Sequence, residues 1–401
     1  MTNPPRHSRR DFLRGSGFAL GAAILAACGG ADARPAATAT APPSPTTPPP
    51  PAATPPAPTP SPAPTPVASL EEKIGQMLMV GFAGTVLEAG SPFAAAVESG
   101  RVVNTVHFAR NVASPGQLAA LDASLQALSP VPMLIATDQE GGQVARLRPA
   151  QGFPAAVSAA ELAALNNLDI TRQRGATTAR ALAAAGINLN LAPVVDLNAN
   201  PSNPVIGAIG RSFSASPGVV TDQALAFIAG HHDNGVLCTL KHFPGHGSST
   251  ADSHLGFVDV TETWSEVELE PFRRIIAAGQ ADAIMTAHIF NANLDPDLPA
   301  TLSHATIEGV LRGDLGYDGV VITDDMQMGA ISQYYGFEAA LELAINAGAD
   351  IIAIANMLAY DASAAPSAFT AILNAVNAGR IPTARIDQSY QRILKLKAKL
   401  A

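Results

Sequence analysis

Eight short apolar segments alternate with helix-forming segments between residues 69 and 401, and this alternation constrains the fold more than any other feature. Each apolar segment is typical of a buried strand, whereas intervening stretches such as 171–185 and 337–347 are rich in alanine and leucine. Strands that alternate with helices form parallel sheets, and eight such units close a (β/α)8 barrel. The predicted strands are residues 77–82, 102–108, 132–137, 187–195, 236–241, 283–287, 319–323 and 350–355.

A doubly wound open sheet is the alternative arrangement of the same elements. Such sheets often carry a glycine-rich nucleotide fingerprint after the first strand, and none follows residues 77–82. The folded domain begins at Ser69, because Ser69 and Glu72 form a capping box that starts a helix. We therefore predict an α/β fold, a single TIM-type barrel domain over residues 69–401.

The first 28 residues carry the signals of an exported lipoprotein. Residues 8–14, SRRDFLR, form a twin-arginine pattern. The apolar stretch 17–27 that follows is too short to span a bilayer as a helix. It ends in LAACG at residues 25–29, which resembles a bacterial lipobox and would make Cys28 the lipid-bearing first residue of the mature protein. An ordinary signal peptide cut near Ala27 is the alternative.

A linker separates these signals from the barrel. Residues 34–67 consist almost wholly of proline, alanine, threonine and serine and show no core-forming periodicity. We therefore assign residues 29–68 to a disordered, polyproline-biased linker. At about 3.1 Å per residue it would extend roughly 100 Å and hold the barrel away from the membrane.

Charge and cysteine content exclude two classes of protein. The net charge of −9 argues against nucleic-acid binding, which needs clustered lysine and arginine. The only cysteines are Cys28 and Cys238, so no disulfide framework exists. Cys238 lies in an apolar segment, where we expect a small buried packing residue.

The densest cluster of titratable residues is the run KHFPGHGSSTADSH at residues 241–254, directly after an apolar segment. Its proline and glycines permit a tight loop, and α/β enzymes keep their chemistry on loops at strand ends. One interpretation is a polar loop with packed histidines. A second is a metal site, although the spacing fits no zinc motif; its ligands would be His242, His246, Asp252 and His254.

The third interpretation is acid–base catalysis. In an extended loop, Asp252 and His254 point to the same side, so the carboxylate could hold the imidazole in one tautomer and stabilise its charged form. Two other strand ends support this interpretation. The run GVVITDDM at 319–326 places two acids after a buried strand, and TDQEGGQVAR at 137–146 places acids and a base after another.

These three runs resemble family 3 glycoside hydrolases, in particular the bacterial β-N-acetylglucosaminidase branch. The 241–254 run is that branch's signature, and the DQEGG and TDDM runs also fit, as do residues 202–207 and 211–213. The resemblance covers the chain from about Ser69 onward. It leaves no room for the second domain of many members, so the catalytic groups must come from barrel loops.

The resemblance implies a retaining exo-β-N-acetylglucosaminidase, a β-hexosaminidase, that works through a covalent glycosyl-enzyme. Asp324 would be the nucleophile, rather than Asp325, and His254 would be the general acid and base, oriented by Asp252. A histidine titrates near 6.5 and can exchange a proton at neutral pH. For His246 a structural role is equally plausible. The groups that bind or line the sugar pocket would be Asp138, Arg146, Arg211, Lys241, His242 and His288.

Two other functions stay open. An N-acetylglucosaminide phosphorylase is one, because a neutral histidine would not repel an incoming phosphate as a carboxylate would. A non-catalytic, lipid-anchored wall-binding protein is the other. We expect a monomer that acts on N-acetylglucosamine-containing glycans in peptidoglycan turnover, without a metal or cofactor. We expect it on the outer face of the cytoplasmic membrane or in the cell envelope.

Overall fold

The computed structural model describes residues 68–357 and 360–400, and eight parallel strands form its centre. Neighbouring strands pair in chain order, and β8 pairs with β1, with Leu78 opposite Ile352. A parallel bridge between Ile322 and Ile351 brings the remaining two edges together. The strands are β1 Leu78–Val80, β2 Asn104–His107, β3 Leu134–Thr137, β4 Leu189–Asn190, β5 Leu237–Phe243, β6 Ala283–Thr286, β7 Val320–Ile322 and β8 Ile352–Ile354. The predicted (β/α)8 barrel is confirmed and the doubly wound alternative is wrong.

Helices surround the strands, and each helix buries one of its faces against the barrel. The capping box at Ser69 is confirmed: the Ser69 N–H donates to Glu72 Oε2 (2.6 Å), and Ser69 Oγ accepts from the Glu72 N–H (3.2 Å). A π-helical segment, Ala305–Asp314, lies between β6 and β7. The α-helices are Leu70–Gln76, Pro92–Glu98, Pro115–Leu128, Ala159–Ala164, Leu168–Ala185, Pro217–His232, Glu270–Ala277, Gly329–Ser332, Phe337–Ala347, Ala364–Asn377 and Thr383–Lys397. Among the described helices, none has the length and apolar content that a membrane crossing requires.

The apolar core lies between strands and helices. Leu118 and Leu125 of one helix are fully buried in the same cluster as Leu134 and Ile135 of β3. Because helices cover the outer surface of the barrel and side chains fill its interior, both faces of each strand are buried. This explains why the strands appear in the sequence as apolar runs without alternation.

Strand β4 is shorter than the predicted 187–195. Regular pairing ends at Asn190, and only a single bridge from Val194 to Lys241 continues it. Pro193 lies between these points and has no N–H to donate to a neighbouring strand.

Strand β5 is longer than predicted and reaches Phe243 instead of ending at Lys241. Its register against β6 shifts between Leu240 and Phe243, and an irregularity of this kind redirects side chains near functional sites. His242 and Phe243 are therefore strand residues, whereas the sequence placed them on the following loop.

Candidate active site

A cavity of about 390 Å³ lies where the carboxyl ends of the strands meet. Eight of the nine side chains predicted to bind substrate or catalyse line this cavity. His288 is the exception. The rest of the wall is largely apolar and includes Met79, Phe108 and Met285. The eight are Asp138, Arg146, Arg211, Lys241, His242, Asp252, His254 and Asp324.

Charged side chains form a continuous network on one wall of the cavity. The Lys241 ammonium lies 2.7 Å from both Asp138 Oδ1 and Glu140 Oε1. Arg146 donates to Asp138 Oδ2 (3.1 Å), and Arg211 holds Glu140 through two bonds of 2.7 and 2.8 Å. Bidentate arginine–carboxylate pairs fix both partners in direction as well as distance.

The network keeps its members charged despite their burial. Burial alone would raise the pKa values of Asp138 and Glu140, but the neighbouring cations hold both below their usual range. Burial likewise opposes charge on Lys241, and the two carboxylates nevertheless raise the pKa of its ammonium group. The site therefore presents fixed charges in a largely desolvated wall, which strengthens their hydrogen bonds to a ligand.

His242 is held in one tautomer. Its Nδ1 lies 2.6 Å from Asp196 Oδ2, and its backbone N–H donates to Oδ1 of the same carboxylate (3.1 Å). Arg211 Nη2, which can only donate, lies 3.2 Å from His242 Nε2. The hydrogen-bond pattern therefore places the ring proton on Nδ1 and makes Nε2 an acceptor.

Sequence reasoning missed Glu140 and Asp196 as members of the site. A signal for each was present. Asp196 directly follows the predicted strand 187–195, the same strand-end position that identified Asp324. Glu140 lies within the 137–146 run. Glu140 anchors Arg211 and Asp196 anchors His242, so both act by positioning other groups.

Asp324 and Asp325 have different surroundings at the end of β7. Burial would raise the pKa of Asp324, but His288, His242 and His254 hold it below its usual value. Burial and the adjacent Asp324 charge raise the pKa of Asp325 to about 6, and its Oδ1 accepts backbone N–H groups from Gln327 (3.1 Å) and Ala355 (2.9 Å). Asp324 is therefore the more acidic carboxyl group of the pair, whereas Asp325 ties two loops together.

His288 does not line the cavity as predicted. It is 1% exposed, its Nε2 lies 2.9 Å from the Asp325 carbonyl oxygen, and its Nδ1 lies 2.8 Å from the Thr301 hydroxyl. Both ring nitrogens are therefore used by the protein. His288 thus supports the backbone that carries Asp324 and has no ring nitrogen left for a sugar.

Asp252 and His254 form the pair that their spacing predicted. His254 Nδ1 lies 2.7 Å from Asp252 Oδ1, and the His254 N–H donates to the same oxygen (2.8 Å). The His254 side chain is 46% exposed, so the pair lies at the open side of the cavity. The bond through Nδ1 leaves Nε2, on the opposite side of the ring, to act on a ligand.

His246 has a structural role. Its Nδ1 pairs with the Ser249 hydroxyl (2.7 Å) and its Nε2 with the Ser253 hydroxyl (3.1 Å). Burial lowers its pKa to about 4, so the ring stays neutral. It braces the loop that carries Asp252 and His254.

A second buried group supports the same loop. Glu268 Oε2 accepts the Gly247 N–H (2.9 Å), and burial raises the pKa of this carboxyl group to about 7.

The metal hypothesis finds no support in the described part of the chain. Across residues 68–357 and 360–400, no three histidine, cysteine, aspartate or glutamate side chains converge as metal ligands. His242 and His246 use both ring nitrogens on protein partners, which leaves Asp252 and His254 alone from the proposed set.

Comparisons with known proteins identify the family of this chain. Residues 69–396 match the family described as glycosyl hydrolase family 3 N terminal domain. A beta-hexosaminidase of Xylella fastidiosa is 40% identical over 288 residues, 69% of this chain and 83% of the relative. A solved family 3 beta-N-acetylglucosaminidase from Paenibacillus sp. FPU-7 is 39% identical with a TM-score of 0.78, covering 83% of this chain and 63% of that one. A beta-N-acetylhexosaminidase from Beutenbergia cavernae is 34% identical with a TM-score of 0.77, covering 83% and 99%. The chain therefore belongs to glycoside hydrolase family 3.

Proposed function

We propose that this protein is a retaining exo-β-N-acetylglucosaminidase that releases terminal N-acetylglucosamine from cell-wall fragments or chitooligosaccharides. One observation carries the proposal: an anionic carboxylate, Asp324, lines the same cavity as a histidine–aspartate pair, His254 and Asp252. The relatives named beta-hexosaminidase and beta-N-acetylglucosaminidase support the choice of substrate class.

The first half-reaction uses these groups in opposite roles. An Asp324 carboxylate oxygen attacks the anomeric carbon while His254 Nε2 gives its proton to the glycosidic oxygen, so that the C–O bond breaks and the alcohol leaves. The Asp252 carboxylate stabilises the protonated ring through its bond to Nδ1. The product is a glycosyl ester on Asp324.

The second half-reaction reverses the proton transfer. His254 Nε2 takes a proton from water, whose oxygen attacks the anomeric carbon and breaks the ester bond to Asp324. Two inversions at the same carbon retain its configuration. The sugar itself is held by the charged network of Asp138, Arg146, Arg211 and Lys241, which offers charge-assisted hydrogen bonds to the hydroxyl and acetamide groups. His242 lines the same cavity and accepts a hydrogen bond from Arg211.

A substrate assay with and without inorganic phosphate tests the function. We expect an aryl β-N-acetylglucosaminide to yield free N-acetylglucosamine at a rate that phosphate does not change. N-acetylglucosamine 1-phosphate as the main product would identify a phosphorylase. No turnover of any aryl β-glycoside in a panel would identify a non-catalytic wall-binding protein.

We further propose that the enzyme is anchored through a lipid on Cys28, with residues 1–28 as signal peptide, 29–68 as linker and 69–401 as catalytic domain. Cys28 and the linker lie outside the described residues. The proposal rests on the lipobox-like run at 25–29 and the proline-rich composition that follows. Two or more acyl chains, typical of such cysteines, would hold the protein firmly on the membrane.

A further inference from the structure

Exposed apolar side chains cluster directly after the Asp252–His254 pair. Leu255 is 75% exposed, Tyr334 58% and Phe257 46%. The Phe257 ring lies 5.7 Å from the Tyr334 ring and 5.4 Å from the Phe290 ring. We call Leu255, Phe257 and Tyr334 the aromatic patch. Large apolar side chains clustered on a surface typically mark a binding site.

The aromatic patch is built into the loops that carry the reacting groups. The Gly329 N–H donates to the His254 carbonyl (3.1 Å), and Gln333 Nε2 donates to the Leu255 carbonyl (2.9 Å). Residues 329–334 lie in the segment that follows Asp324 after β7, and this segment includes the helix Gly329–Ser332. Phe290 is fixed beneath the patch by its backbone bond to the Val258 carbonyl (2.8 Å). The patch therefore keeps a set position relative to His254.

The proposed proton transfer from His254 places the leaving group on the side of the cavity where the aromatic patch lies. His254 gives its proton to the oxygen that joins the terminal sugar to the rest of the glycan, so the next sugar must lie beside His254. Aromatic faces carry partial negative charge, and the C–H groups of a β-linked pyranose form a flat, weakly positive apolar face. We propose that the aromatic patch is a subsite for the sugar ring on the leaving-group side of the scissile bond, an inference that rests on the proposed hydrolase function.

The size of the patch favours a sugar over a protein partner. A stable protein interface buries about 800 Å² on each partner and involves roughly 20–30 residues a side. Three exposed side chains fall far short of that area, whereas one or two pyranose rings need no more. A subsite of this kind would make the enzyme prefer glycan chains to simple glycosides.

Two substrates that differ only on the leaving-group side test the subsite. N,N′-diacetylchitobiose carries a second sugar ring, and methyl β-N-acetylglucosaminide carries none. For Tyr334→Ala and Leu255→Ala in the otherwise intact protein, we expect kcat/KM for the disaccharide to fall about tenfold, the effect of ~1.4 kcal/mol. The value for the methyl glycoside should stay within about twofold of the parent.

Control variants distinguish a sugar subsite from a disturbed loop. Tyr334→Phe should retain the disaccharide activity, and so should Leu165→Ala, which removes a similarly exposed side chain (53%) at a distant helix end. Equal losses on both substrates would mean that the substitutions disturb the His254 loop. No loss on either substrate would mean that no sugar contacts the aromatic patch. Either result would overturn the subsite. A change in oligomeric state in Tyr334→Ala would assign the patch to a second copy and also overturn it. A parent protein that cleaves neither substrate would instead overturn the proposed function, and the subsite with it.

Discussion

Replacing Glu268 by glutamine should change how the stability of the barrel depends on pH. Glu268 is 1% exposed, and its Oε2 accepts the Gly247 N–H at 2.9 Å. Burial, together with the nearby Asp196 charge, raises its pKa from 4.5 to about 7. The folded protein therefore binds a proton that the unfolded chain releases between these two pH values.

The magnitude follows from that difference in pKa. A shift of this size corresponds to about 3 kcal/mol. Stability from this group is fully present below pH 4.5 and is lost as the pH rises toward 7, because the buried carboxyl must then ionise. Glutamine stays neutral throughout, and its amide oxygen can still accept the Gly247 N–H. Between pH 5 and 8 we expect the free energy of unfolding of Glu268→Gln to gain about 2.5 kcal/mol relative to the parent.

Urea unfolding monitored by tryptophan fluorescence measures this change. Trp264 is the only tryptophan, and its indole N–H donates to the Pro244 carbonyl (3.1 Å) in the loop that Glu268 supports. Glu266→Gln, at a side chain that is 81% exposed, is the matched control and should leave the pH dependence unchanged. Parallel pH profiles for the parent and Glu268→Gln would refute the reasoning.

Three further predictions concern catalysis and location. Asp324→Asn should abolish nearly all turnover without unfolding the barrel, because an amide cannot form the ester; a mechanism-based fluorosugar found attached to Asp325 would contradict this. His254→Ala should slow substrates with poor leaving groups by about 100-fold and activated aryl glycosides much less, so equal slowing would count against its role as the acid. Cys28→Ser should remove the protein from the membrane fraction or leave it unprocessed with unchanged activity, and a wholly soluble parent protein would exclude the anchor.

The barrel and most of the site were predictable because parallel strands obey a simple geometric rule. Their carboxyl ends all lie on one face, so acids after apolar runs must meet there. Asp138 and Asp324 follow β3 and β7, and both line the same cavity. The aspartate–histidine pair was equally accessible, since its members are two residues apart and need no distant contact to meet.

Other parts of the site depend on contacts that spacing does not encode. Arg211 meets Glu140 across 71 residues of sequence, and nothing local identifies that partner. His288 also follows a strand, but whether such a side chain points into the cavity or behind a neighbour depends on a shift of one residue. The extension of β5 through His242 required the register shift against β6, which an apolar pattern does not reveal.

The charged network has a consequence for how substrates reach the cavity. Three carboxylates, Asp138, Glu140 and Asp196, lie close to three cationic side chains, Lys241, Arg146 and Arg211. Fields from such closely paired charges cancel within a few ångströms, so the wall attracts no ion from a distance. Its bonds act only at contact and are shielded from dissolved ions by burial. The kcat/KM for a neutral glycan should therefore remain constant as the ionic strength of the medium changes.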